Sequence, residues 1–97
     1  MTRQELLDRL KKGPLILDGA TGSNLMKAGM PRGICTEKWV AEHPDVLIQL
    51  QQAYVEAGSD ILYAPTFMAN RVSLREHGLD SETESLNRSL VSLSKRA

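Results

Sequence analysis

Two short apolar runs limit what this chain can fold into. Leu15-Ile16-Leu17 ends on Asp18 and breaks into the turn Gly19-Ala20-Thr21-Gly22. The run Asp60-Ile61-Leu62-Tyr63-Ala64 ends in a similar polar-containing corner at Pro65-Thr66-Phe67. An apolar run that closes on an acid and glycines is how a buried strand brings a polar group and bare backbone to the mouth of an α/β sheet or barrel. Whether the two corners lie side by side decides much of what the chain can bind.

Around these runs the pattern is helical. Thr2 to Lys12 carries Leu6, Leu7 and Leu10 on one stripe and stops at Gly13-Pro14. Gly22 to Ala28 holds one or two helical turns, with Leu25 and Met26 expected inward, and Gly29 to Thr36 is a loop. Thr36 is placed to cap a short turn carrying Trp39 and Val40. Pro44 stands at the first position of a helix running to Ala57, with Val46, Leu47, Leu50, Tyr54 and Ala57 at helical spacing and Gly58 as its cap. The glutamines Gln49, Gln51 and Gln52 read as lying largely off that stripe. Ala69 to Glu76 and Glu82 to Arg96 are the last helical segments, the second with Leu86, Leu90, Leu93 and Ala97 in line.

The order helix, strand, crossover with a helix, strand, helix describes one right-handed βαβ unit with flanking helices. Two parallel strands do not make an independently stable sheet, and continuous apolarity asks for neighbours on both sides. The expected fold class is therefore α/β, with the chain reading as the opening of a larger domain.

Length and charge narrow the function classes. The 97 residues suffice for one small domain, and 12 basic against 12 acidic residues leave no net charge to attract a nucleic acid. Cys35 is the one cysteine, so no intrachain disulfide forms, which fits a reducing compartment. No stretch approaches the roughly 18–20 apolar residues of a membrane span. The expectation is a cytoplasmic protein with neither membrane nor nucleic-acid partner.

Asp18 serves either as a receptor for a substrate ammonium or as a cap for the turn that follows. Gly19 and Gly22 permit close backbone approach to a carboxylate, yet Gly19-Ala20-Thr21-Gly22 fits neither the dinucleotide fingerprint nor the phosphate loop. Thr66 and Asn70 can bind a ligand or cap the next helix, and Tyr63 divides between site and core. Cys35 has no base or metal partner in the sequence and reads as a small core hydrophobe. His43 and His77 lie at helix boundaries, and no spacing of His, Cys and acid resembles a metal site. No nucleophile-base pair is visible.

The motif Ile16-Leu17-Asp18-Gly19-Ala20-Thr21-Gly22 resembles the opening of the homocysteine S-methyltransferase family. The likeness continues through Glu37-Lys38-Trp39, Glu42-His43-Pro44-Asp45, Tyr54 to Ile61, Thr66 to Arg71 and Leu74 to Leu79. It covers essentially the whole chain and is nearest to the N-terminal homocysteine-binding module of the cobalamin-dependent members. The resemblance implies a (βα)8 TIM barrel, of which residues 1–97 would supply the first two βα units, with two parallel strands and flanking helices.

By the same resemblance, Asp18, Gly19 and Ala20 lie at the amino-acid end of homocysteine and help hold its ammonium and carboxylate. The loop around Cys35 and Thr36 comes near the same pocket in a related betaine-dependent member, and the stretch Ala64 to Thr66 forms another part of its wall. A betaine-dependent relative has a threonine at the position of Ala64, where alanine offers no hydroxyl, so Thr66 or backbone N–H groups would replace that contact. Met68 stands where many members have a small residue. The family's zinc, held by three cysteines on later strands, activates the thiol, and Cys35 matches none of those ligands. Methyltetrahydrofolate through cobalamin, betaine and S-methylmethionine all serve the wider family as methyl donors.

The expected function is part of a homocysteine S-methyltransferase, with this segment supplying substrate-pocket walls and inactive alone. Its partners would be homocysteine and either the remaining barrel segment or further copies of itself. The alternative is a non-catalytic amino-acid-binding or structural oligomerisation module.

Overall fold

Six α-helices carry the chain, which a computed structural model describes over residues 1–97. They are α1 (Arg3–Lys11), α2 (Gly22–Lys27), α3 (Thr36–Glu42), α4 (Pro44–Ala57), α5 (Arg71–Arg75) and α6 (Thr83–Arg96), with a 3₁₀ turn at Asp80–Glu82. Local chemistry sets their ends. The Glu5 N–H donates to the Thr2 hydroxyl at 3.1 Å, and the Thr2 N–H donates to the Glu5 carboxylate at 2.7 Å, closing a reciprocal cap on α1. Pro44 opens α4, where its missing N–H would have no helical partner anyway. Gly58 closes that helix at φ 115°, a left-handed conformation that a side chain resists. Asn70 caps α5 by accepting the Ser73 N–H at 2.9 Å.

Helices α3 and α4 pack on α6 and on each other, and α2 packs on α4. Leu25, Val40, Leu47, Leu74 and Leu90, one from each of α2 to α6, are fully buried where they meet. Leu86, Leu90 and Leu93 recur at helical spacing, so α6 turns one face wholly inward. Gln51 is only 1 % exposed, because it stands four residues after Leu47 on the same face of α4. Met26, expected inward, is exposed, and α1 buries none of its residues. Lys38 of α3 reaches Glu82 of the 3₁₀ turn at 2.8 Å. The hydrogen bond to that carboxylate, then its charge, raises the lysine above its usual range.

The expected α/β architecture, a (βα)8 barrel opening with two parallel strands, is not what the chain adopts. The two apolar runs meet in parallel at the single pair Leu17 and Ile61. There the Asp18 N–H donates to the Ile61 carbonyl at 3.0 Å, and the Ile61 N–H donates to the Ile16 carbonyl at 3.1 Å. A parallel ladder would next pair the Tyr63 N–H with the Asp18 carbonyl and the Tyr63 carbonyl with the Ala20 N–H. Side chains take both Tyr63 groups instead. The Asp18 carboxylate accepts the N–H at 3.3 Å, and the Gln51 amide donates to the carbonyl at 2.8 Å.

At the other end the Asp60 carboxylate accepts the Ile16 N–H at 2.9 Å. The Ser59 N–H turns back to the Tyr54 carbonyl at 3.0 Å, within the cap of α4. Pairing stops after one bridge because these side chains and caps hold the backbone groups that the next pairs need. Nor are the runs buried as central strands would be: Ile16 is 56 % and Leu17 46 % exposed.

Candidate functional site

One bridge is enough to bring the two corners together. The turn after Asp18 and the loop after Tyr63 face the start of α3 across a cavity of about 290 Å³. Thr21 and Gly22 from the first corner, Thr36 and Glu37 from α3, and Ala64 and Met68 from the second line its walls. Tyr63, Pro65 and Phe67 add a largely apolar side. A small amino acid needs this kind of space: a few polar groups for its ends and apolar surface for its chain. A larger hollow of about 550 Å³ runs along α6 between Asn87 and Lys95 and includes neither corner.

Of the residues expected at a substrate site, Ala64 lines this cavity directly. Thr66 sits between lining residues, its N–H donating to the Ala64 carbonyl at 2.8 Å in a tight local turn. Asp18 is half-buried and does not line the cavity; both its carboxylate oxygens lie 3.3 Å from the Tyr63 nitrogen. Its carboxylate thus fixes one corner against the other.

Gly19 packs beneath the Tyr54 ring. A Cβ there would fall 3.0 Å from the phenolic oxygen and 3.2 Å from Cε1, so the absence of a side chain is what admits the ring. The Ala20 carbonyl accepts the Tyr54 hydroxyl at 2.8 Å and the Asn24 amide at 2.8 Å. Together these contacts pin the first corner to α2 and α4. Cys35 is buried on a separate cavity of about 120 Å³, shared with Glu37, Met68 and His77.

The one acidic residue that lines the 290 Å³ cavity is Glu37, which sequence reasoning did not single out. It is only 4 % exposed. Its Oε1 accepts the Met68 N–H at 3.0 Å, and the Cys35 thiol lies 3.7 Å from Oε2. Glu37 therefore ties the second corner to α3. Its position two residues after the buried Cys35 carries no local signal of burial, since glutamate in the first turn of a helix is ordinarily solvated.

No group of three or more His, Cys, Asp or Glu side chains is placed to hold a metal ion. With Cys35 the one cysteine, a site of three thiolates does not fit the residues present. No helix is long and apolar enough to cross a membrane.

Residues 15–97 match the family model described as homocysteine S-methyltransferase. Among curated relatives, an S-methylmethionine–homocysteine S-methyltransferase of Pongo abelii is 30 % identical over 95 residues, covering 96 % of this chain and 25 % of the relative. Methionine synthase of Mycobacterium tuberculosis is 30 % identical over 98 residues, 95 % of this chain and 8 % of that protein. Betaine–homocysteine S-methyltransferase 1 of Danio rerio is 32 % identical over 79 residues, 79 % of this chain and 20 % of the relative. The chain thus spans a quarter or less of the length of these relatives. Such even similarity does not single out methionine synthase from the other two.

Proposed function

The chain belongs to the homocysteine S-methyltransferase family, and from that membership we propose that its cavity holds the amino-acid end of homocysteine. The protein it serves would transfer a methyl group to the homocysteine sulfur, forming methionine. The observation that carries this reading is the cavity of about 290 Å³ between the two corners, walled by Thr21, Gly22 and Ala64. Asp18, Gly19 and Ala20 lead into its wall at Thr21 and Gly22, Ala64 lines it, Thr66 stands between the lining Pro65 and Phe67, and Cys35 immediately precedes the lining Thr36. The zinc that the family resemblance implies finds no ligand set in this chain, so thiol activation is assigned to residues other than these. Cobalamin and methyltetrahydrofolate would act through other modules.

Titration calorimetry of the 97-residue chain with L-homocysteine is expected to show saturable binding. Ala64→Trp, which fills the cavity with an indole, is expected to abolish it. Binding that survives this substitution, or none by the unaltered chain, would remove the cavity as the substrate pocket.

The exposure of Ile16 and Leu17 favours a second role, self-association through the paired runs. Light scattering should then show a mass above 10.7 kDa, returning to the monomer value in Ile16→Lys. A monomer at all concentrations would end this reading.

A further inference from the structure

We propose that Gln51 is a positioning residue whose amide holds the second corner of the cavity in place. Tyr63 opens that corner and lines the cavity. Side chains hold both of its backbone groups: the Asp18 carboxylate accepts the N–H at 3.3 Å, and the Gln51 Nε2 donates to the carbonyl at 2.8 Å. The bond from Gln51 is the shorter of the two, and it ties the corner to α4. In a parallel ladder the same carbonyl would be tied to Ala20 in the first corner. Gln51 therefore decides which element anchors the second corner, and with that the spacing of the cavity's walls.

The energetics separate this role from packing. Gln51 is only 1 % exposed, and its Oε1, buried as well, meets no donor of the chain. A buried acceptor without a donor costs free energy, and the one bond made by Nε2 offsets only part of it. Turning the amide over brings no relief, since its oxygen would then face the Tyr63 carbonyl. An apolar side chain of the same length would fill the space without that cost. Tyr63 is 65 % exposed, so water can take up the carbonyl if the amide is withdrawn. Gln51 is thus a poor choice for the core and a good one for fixing Tyr63. Such a local conflict is expected where a site, and not stability, sets the residue.

The consequence falls on the loop that follows Tyr63. Ala64, Pro65, Phe67 and Met68 all line the cavity. Glu37 fixes the far end of this loop by accepting the Met68 N–H at 3.0 Å, and Gln51 with Asp18 fixes the near end at Tyr63. Between them Pro65 has no N–H to offer, and the Thr66 N–H bonds only within the loop, to the Ala64 carbonyl. Releasing the near end lets Ala64 and Pro65 shift, and the wall loses its shape. Gln51 itself does not line the cavity. The assignment rests on the proposed binding of homocysteine there and adds a residue that acts on the wall without touching the ligand.

Gln51→Met tests it, because methionine keeps the length of the side chain and removes its amide. The variant is expected to unfold in urea at the midpoint of the unaltered chain or above it. It should nonetheless bind L-homocysteine about threefold to tenfold more weakly, the range for one lost hydrogen bond. Amide exchange at Tyr63 and Thr66 should quicken while that of Leu90 on α6 stays the same. A lower midpoint, or a variant that does not fold, would make Gln51 a core contact and overturn the proposal. Equal affinity of the two chains for homocysteine would overturn it too and leave the pocket standing. If the unaltered chain binds no homocysteine, the pocket reading ends and the exchange rates decide alone. Unchanged rates at Tyr63 and Thr66 then overturn the hold of Gln51 on the corner, and quickened ones uphold it.

Discussion

Leu90→Ala is expected to lower the unfolding free energy by about 3 kcal/mol, within the range of about 2–5 kcal/mol for emptying a buried leucine site. Leu90 is fully buried on α6, against which both α3 and α4 pack, so the cavity has walls on several helices and cannot close by moving one. Only 12 of 97 residues are buried, so few other contacts can take up the loss. A domain of this size holds about 5–15 kcal/mol in all, and the substitution removes a large share. Val91, the next residue, is 39 % exposed. Val91→Ala should change stability by no more than about 0.5 kcal/mol. Urea unfolding of the two variants makes the comparison, and equal losses would show that α6 does not dock by its leucine face.

Gly19→Ala is expected to cost about 1–3 kcal/mol, the range for inserting a methyl group into an occupied space. The new Cβ would stand 3.0 Å from the Tyr54 hydroxyl oxygen, so the ring must move. A shift of a few tenths of an ångström weakens the 2.8 Å bond from that hydroxyl to the Ala20 carbonyl, which anchors the first corner to α4. The two residues should therefore be coupled. Tyr54→Phe removes the nearest clashing atom as well as the bond. Its cost on top of Gly19→Ala should therefore be smaller than in the unaltered chain, by about 0.5–1.5 kcal/mol. A denaturation-based double-mutant cycle reads that difference. Strict additivity would mean that the phenol does not pack against Gly19.

The parts that could be read directly from the residues are those set by near neighbours in the chain. Pro44 and Gly58 bracket α4, and Asn70 caps α5, because each acts on backbone groups within a turn of itself. The leucine stripe of α6 was equally plain, since spacings of three and four residues place side chains on one helical face. The meeting of the two corners was legible as a possibility, and the Leu17–Ile61 bridge realises it.

The failure of that bridge to grow into a sheet was not legible, and the reason is distance along the chain. Asp18 captures the Tyr63 N–H from 45 residues away, Asp60 captures the Ile16 N–H from 44, and Gln51 reaches the Tyr63 carbonyl across 12. Apolar character describes what a segment prefers to bury, but a ladder also needs free backbone donors and acceptors. Glu37 follows the same rule, its burial decided by the loop at Met68, 31 residues further on. By itself the sequence determined where most of the helices lie, the ends of α4, the cap of α5 and the family to which the chain belongs, whereas Thr36, expected as a cap, is the first residue of α3 and Cys35 precedes it. Only the tertiary structure decided that two strand-like runs stop at one bridge and that Glu37 is buried against the second corner, because both depend on partners that chain folding alone brings within reach.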